Sequence, residues 1–242
     1  MISVSTELRE RCPEFVGAAV FAPVINTSTN PALWEEIDCF IADYRTRYTP
    51  DSIKLMPAIE ATRVAYRRCG KDPSRYRPSG EALVRRTLKG HDLYHVSTLV
   101  DLINLASIAY GYSIGGFDAD KIVLNDNGNA RTPEAPSTLQ ERLLESEPVL
   151  ILGIGREGEP YEGIGRGPLN IAGLPVYRDA LGGIGTPTSD HERTKLSLDT
   201  RHLLAIVNGY DGDRNNVLAC AHLIQDLLRR YASSDGGAII EF

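Results

Sequence analysis

Asp101 and Asn104 place a carboxylate and an amide three residues apart, on neighbouring parts of one face if the segment is helical. Around them stand Leu99, Val100, Leu102, Ile103 and Leu105. Polar groups in so apolar a stretch need partners, and they either knit an interior together or line a pocket. Spacing alone favours the structural role, because most buried polar groups are satisfied internally. A second candidate is Thr186-Pro187-Thr188-Ser189-Asp190, a hydroxyl-rich turn that follows Gly182-Gly183-Ile184-Gly185. Glycine lets backbone amides approach a ligand closely. Such a segment suits a carboxylate, a phosphate or a ribose hydroxyl, and the same residues read equally well as an ordinary polar loop.

Three other patterns lead elsewhere. Gly153-Ile154-Gly155-Arg156-Glu157-Gly158 matches a dinucleotide fingerprint, but that fingerprint must open a helix whose N-terminus holds the pyrophosphate. Pro160, Gly163, Gly165, Gly167 and Pro168 forbid that helix and point to a glycine-rich hairpin presenting Arg156 and Arg166. His91 and His95 are four apart, yet no carboxylate or cysteine follows at metal-ligand spacing, so a structural or exposed pair is favoured. Asp211-Gly212-Asp213 is too short for a calcium loop and reads as a turn and helix cap. No metal and no cofactor is expected.

The elements that must position these residues follow from periodicity and punctuation. Val16 to Val24 reads as a buried strand. A helix begins near Pro31, with Leu33, Trp34, Ile37, Phe40, Ile41 and Tyr44 on one face. Further helices are expected from about Ser52 to Cys69, from Ser79 to about Lys89 with Gly90 as stop, and from Thr98 to Tyr110 between Ser97 and Gly111. Asn125 to Ser137 reads as a surface loop. From Val149 the pattern changes to short apolar runs cut by glycines, up to a strand at Leu203 to Val207. A last helix runs from Asn215 to Tyr231, and Gly237 to Phe242 can add an edge strand. The order predicts an α+β fold, with mixed or antiparallel sheets in the second half and packed helices, as one domain over 1–242.

Bulk properties narrow the partners. With 242 residues, 42% of them hydrophobic, the chain can bury a full core. Its four cysteines are scattered singly, which suits reduced thiols in a cytoplasm. The longest apolar run, Phe15 to Ile25, is too short to span a bilayer, so no membrane partner is expected. A net charge of −6 opposes indiscriminate binding to phosphate backbones, so any RNA contact needs a local basic patch. Arg85, Arg86 and Lys89 on one predicted helix supply such a patch.

Ser79-Gly80-Glu81-Ala82-Leu83, Val100-Asp101, Asn104, Gly111 and Phe117-Asp118-Ala119-Asp120-Lys121-Ile122 together resemble the first half of the tRNA-binding and editing domain of the phenylalanyl-tRNA synthetase beta subunit. Leu181-Gly182-Gly183-Ile184-Gly185-Thr186, then Asp199-Thr200 and the strand at Leu203 to Val207, are similar to its second half. The resemblance rests on residues 79–122 and 169–207 and implies a free-standing relative of that domain. It implies tRNA or aminoacyl-tRNA as partner, and a pocket in which a wrongly attached amino acid is hydrolysed from its tRNA in trans. Asn104, Gly182 and Gly183 carry over to that pocket, and Thr188, Ser189 and Asp190 extend it. Arg85, Arg86 and Lys89 would meet the tRNA backbone. Three positions depart from the family: Ile103 stands for a threonine, Gly115 for a histidine, and Ile206 for a glutamate. They imply a roomier, more apolar pocket with Gly115 opening it. The rival reading is a non-catalytic module that holds an amino acid or amino-acid-like molecule; the net charge favours it, while the basic helix favours the tRNA reading.

Overall fold

The apolar run from Val16 alternates poorly because its strand is covered on both faces. A computed structural model of the chain, which describes residues 1–126, 129–131, 139, 141–143 and 148–242, places this strand, β2 (Val16–Pro23), inside an antiparallel sheet. Its neighbours are β12 (Ala238–Glu241) and β11 (His202–Gly209), and β11 pairs in turn with β3 (Ser113–Asp118). Ala18, Val20 and Ala22 of β2, with Leu203, Ala205 and Val207 of β11, face a layer of helices. Ala19, Phe21, Leu204 and Ile206 face the opposite way, into a core shared with a second sheet. Period-two alternation is present in geometry but hidden in composition, since both faces exclude water.

The second sheet has the order β1 (Ile2–Val4), β6 (Leu150–Ile154), β9 (Pro175–Asp179), β10 (Gly182–Gly185). β1 and β6 are parallel and the other pairs antiparallel. Mixed and antiparallel sheets with packed helices make this the expected α+β architecture. Gly163 and Gly167 lie in the paired strands β7 (Glu162–Gly163) and β8 (Gly167–Pro168), the hairpin that the glycines of that region imply. Of the expected Asn125 to Ser137 loop, β4 (Leu124–Asp126) and β5 (Asn129–Arg131) form a hairpin instead, and residues 127–128 and 132–137 lie outside the described residues.

The helices with fully described bounds are α1 (Thr6–Arg11), α2 (Pro31–Arg47), α3 (Pro57–Arg68), α4 (Ser79–Leu88), α5 (Thr98–Tyr110) and, last, α6 (Arg214–Tyr231). Asn30 caps α2 through the Leu33 amide at 3.2 Å, and Asp213 caps α6 through the Asn216 amide at 3.0 Å. The single helix expected over 52–69 is two pieces, a 3-10 turn over Pro50–Leu55 and then α3. Pro57 accounts for the break, because its ring disfavours helical backbone at Met56, which is extended at φ −76° and ψ 117°. Ser97 precedes α5 but does not cap it with its side chain; the Asn26 carboxamide oxygen accepts from the Leu99 amide at 3.1 Å. Gly111 ends α5 in the left-handed conformation, φ +77°. Among the described residues no helix is long and apolar enough to cross a membrane.

Candidate functional site

α4 and α5 pack on the helix side of the first sheet, beside its edge strand β3. Between them and the segment that follows β10 lies a cleft of about 520 Å³. Helical spacing decides what α5 contributes: Val100, Ile103, Asn104 and Ser107 recur at three and four residues and line the cleft. Asp101 sits on another face, 1% exposed. It accepts from the Trp34 indole at 2.8 Å and from the Val96 amide at 3.1 Å, tying α2 to the start of α5. Burial pushes its carboxyl above the usual range while these hydrogen bonds pull it down. Asp101 is thus a satisfied interior carboxylate, whereas the Asn104 carboxamide faces the cleft without a protein hydrogen-bond partner among the described residues.

Asp190 stands in the opposite wall. Its carboxylate accepts from the Gly116 amide at 2.9 Å, on the free edge of β3, where a fifth strand would otherwise pair. Phe117 and Lys195 form a bridge along the same edge. Room for the carboxylate comes from glycines: a Cβ at Gly115 or Gly185 would stand 3.3 or 3.1 Å from Asp190 Oδ1 and closer still to the Phe117 ring. Burial pushes the Asp190 carboxyl up to about 7, against the Gly116 hydrogen bond that lowers it. Among the described residues no cation pairs with it; Lys195, which lines the same cleft, pairs with Glu192.

The segment carrying Asp190 is held from several sides. Arg193 forks onto Asp179 of β9 at 2.8 and 2.9 Å. Thr186 Oγ1 accepts from the Thr188 and Ser189 amides, closing the turn. The Thr188 hydroxyl bonds the Tyr66 hydroxyl at 2.8 Å and the Tyr76 carbonyl at 3.1 Å, so it faces the interior. The Ser79 amide donates to the Pro187 carbonyl at 2.7 Å, joining the start of α4 to the turn. Thr186, Ser189 and Asp190 line the cleft; Thr188 does not.

Of the other expected pocket residues, Gly182 and Gly183 lie outside the cleft lining. Gly183 packs in β10, where a Cβ would approach the Tyr161 ring to 2.9 Å and Val176 to 3.2 Å. Gly115 faces the second sheet rather than the cleft, opposite Ile206 in the β3–β11 register. One residue along the strand reverses the face, so Gly116 lines the cleft in its place. Gly116, Ile114, Ile164 and Leu196 are cleft residues that the sequence reading did not single out, and Ser79, read there only as a helix start and motif residue, lines the cleft as well. The only signal at Gly116 was its place in a glycine pair.

The basic helix is partly committed. Glu81, 1% exposed, receives Arg63 at 2.9 Å and Arg85 at 3.0 Å, with Arg77 at 3.8 Å. Arg86 donates to the Asp92 carbonyl and lies 4.2 Å from the centroid of the Tyr94 ring, which is 69% exposed. Lys89 is exposed at the C-cap of α4. His95 stacks flat on Trp34, with ring centroids 3.5 Å apart, and His91 is exposed.

The family description of the B3/4 domain matches residues 61–232, a span that includes α4, α5 and the whole cleft. Among solved structures, an N-terminal fragment of the phenylalanyl-tRNA synthetase beta subunit from Pyrococcus horikoshii is similar, with a TM-score of 0.45 and 14% identity. That similarity covers 99% of this chain and 50% of the fragment, so the chain spans half the length of the protein piece it matches. No curated protein matches the sequence.

Proposed function

The chain belongs to the B3/4 domain family, and from that membership we propose that it binds aminoacyl-tRNA and hydrolyses the ester of a misattached amino acid in trans. One observation carries the reading: Asn104 and Asp190, 86 positions apart in sequence, line opposite walls of one cleft large enough for an aminoacyl group. An aminoacyl ester is an activated acyl group, so water attack needs positioning and stabilisation of the developing oxyanion more than a nucleophilic triad. The Asn104 carboxamide has an N–H to offer and no protein acceptor among the described residues, which suits the oxyanion role. Leu83, Val100, Ile103, Ile114 and Leu196 would hold an apolar acyl side chain. Incubation with a panel of charged tRNAs, following ester loss over the uncatalysed rate, tests the reading. A specific subset deacylated, with loss of activity in Asn104→Ala, is expected; no acceleration on any charged tRNA refutes it.

A second reading has its own observation. Arg85 is paired with Glu81, and Arg86 is held by the Asp92 carbonyl and the Tyr94 ring, so both guanidinium groups of α4 already have partners that an RNA contact would have to compete with. The same cleft would then hold a free amino-acid-like molecule without RNA. Binding of a free amino acid with no affinity for tRNA at low salt distinguishes this case.

A further inference from the structure

Among the described residues the Asp190 carboxylate is the one acidic group in the cleft lining, and its surroundings give it a specific unmet need. Oδ2 accepts from the Gly116 amide at 2.9 Å, while no protein donor reaches Oδ1 among the described residues. Nearby glycines and the Phe117 ring pack close to Oδ1 without supplying a charge. The cation in the lining, Lys195, is engaged by Glu192, and Arg193 by Asp179. A carboxylate in an apolar cleft is costly to ionise unless a ligand brings the countercharge. The complementary ligand has a compact cation with hydrogen-bond donors, joined to an apolar body that meets Ile103, Ile114 and Leu196.

We propose that Asp190 receives the free α-ammonium group of the ligand, so that the cleft selects α-amino acyl groups with apolar side chains and rejects acyl groups lacking the amine. The inference rests on the aminoacyl reading of the cleft, and it assigns Asp190 to substrate recognition. An ammonium brought against the Asp190 carboxylate from the cleft would supply the countercharge that its surroundings do not, and the acyl carbon, one bond from the ammonium-bearing carbon, would lie in the same cleft that Asn104 lines. A bulky or charged side chain would have to displace the apolar wall.

The test uses three adenosine conjugates with hydrolysis-resistant amide links at the ribose 3′ position. They carry leucine, its des-amino counterpart 4-methylpentanoate, and glutamate. Calorimetric titration of the whole protein is expected to show the leucine conjugate binding ten- to a hundredfold more tightly than the des-amino conjugate, with the glutamate conjugate weak. In Asp190→Asn, which keeps the size and can still accept from Gly116, the leucine advantage should fall below threefold. The des-amino comparison needs no variant, so it stands even if Asp190→Asn folds poorly. Equal binding of the leucine and des-amino conjugates, no binding of either, or an amine preference that persists in folded Asp190→Asn overturns the proposal. Amine-dependent binding without deacylation of any charged tRNA would uphold it and refute the hydrolytic reading instead. Deacylation with no amine preference would do the reverse.

Discussion

Replacing Asp190 by asparagine should stabilise the protein in a pH-dependent way. In the folded chain the carboxyl titrates near 7 because burial opposes its charge, against 3.8 in the absence of burial. The difference is roughly 3 pKa units, and at about 1.4 kcal/mol per unit it sets an upper limit of ~4 kcal/mol. The sign follows from proton counting. Between about pH 4 and 7 the folded state holds a proton that the unfolded state has released, so stability falls as pH rises through that window. The cost is absent below about pH 4 and complete above about pH 7. Asparagine has no such titration and keeps an oxygen for the Gly116 amide. His191, whose titration is set by burial and by Arg193, Glu162, Asp179 and Glu192, is common to both proteins, so its contribution largely cancels in the difference. Urea denaturation of both proteins at about pH 4.5, 6 and 8 should show the variant's advantage growing by ~2–4 kcal/mol, less where cleft water screens the charge. A pH-independent difference, within about 0.5 kcal/mol, would refute the claim that burial of this charge opposes folding.

Asn104→Ala should lower single-turnover deacylation by roughly 10²-fold, the scale for losing one oxyanion donor, while thermal unfolding barely shifts because the carboxamide has no protein partner among the described residues. Glu81→Ala should destabilise by about 3 kcal/mol in urea, since it leaves Arg63 and Arg85 facing one another without their buried carboxylate; a loss under about 1 kcal/mol would show that solvent already screens them. Gly183→Val should cost ~1–3 kcal/mol by overpacking against Tyr161 and Val176 and should leave ligand affinity of the folded fraction unchanged. If tRNA binds through α4, Lys89→Ala should reduce the salt dependence of binding by about one counterion in a filter-binding series, whereas an unchanged slope would remove Lys89 from the contact.

Sequence alone determined the elements where local chemistry decides them. The strand at Val16, the start of α2 near Pro31, the end of α5 at Gly111 and the edge strand near the C-terminus were readable because proline, glycine and apolar periodicity act within a few residues. Met56 and Pro57 split an expected helix by an equally local rule that the apolar pattern obscured. The resemblance placed Asn104 among the pocket candidates, but spacing could not separate it from Asp101, because both polar groups lie in one apolar helix. Only packing separated them: Trp34, 67 residues away, took Asp101, and the cleft was left to Asn104. The strand register likewise turned Gly115 toward the second sheet and Gly116 toward the cleft, a one-residue distinction that composition does not encode. Asp190 could be read from sequence only as part of a polar turn. Its seat on the β3 edge, the glycines that clear its space and the burial that shifts its titration are contributed by β3, β10 and the turn together. Those contacts span more than 70 positions, and a charge's energy depends on everything packed around it rather than on its neighbours in the chain.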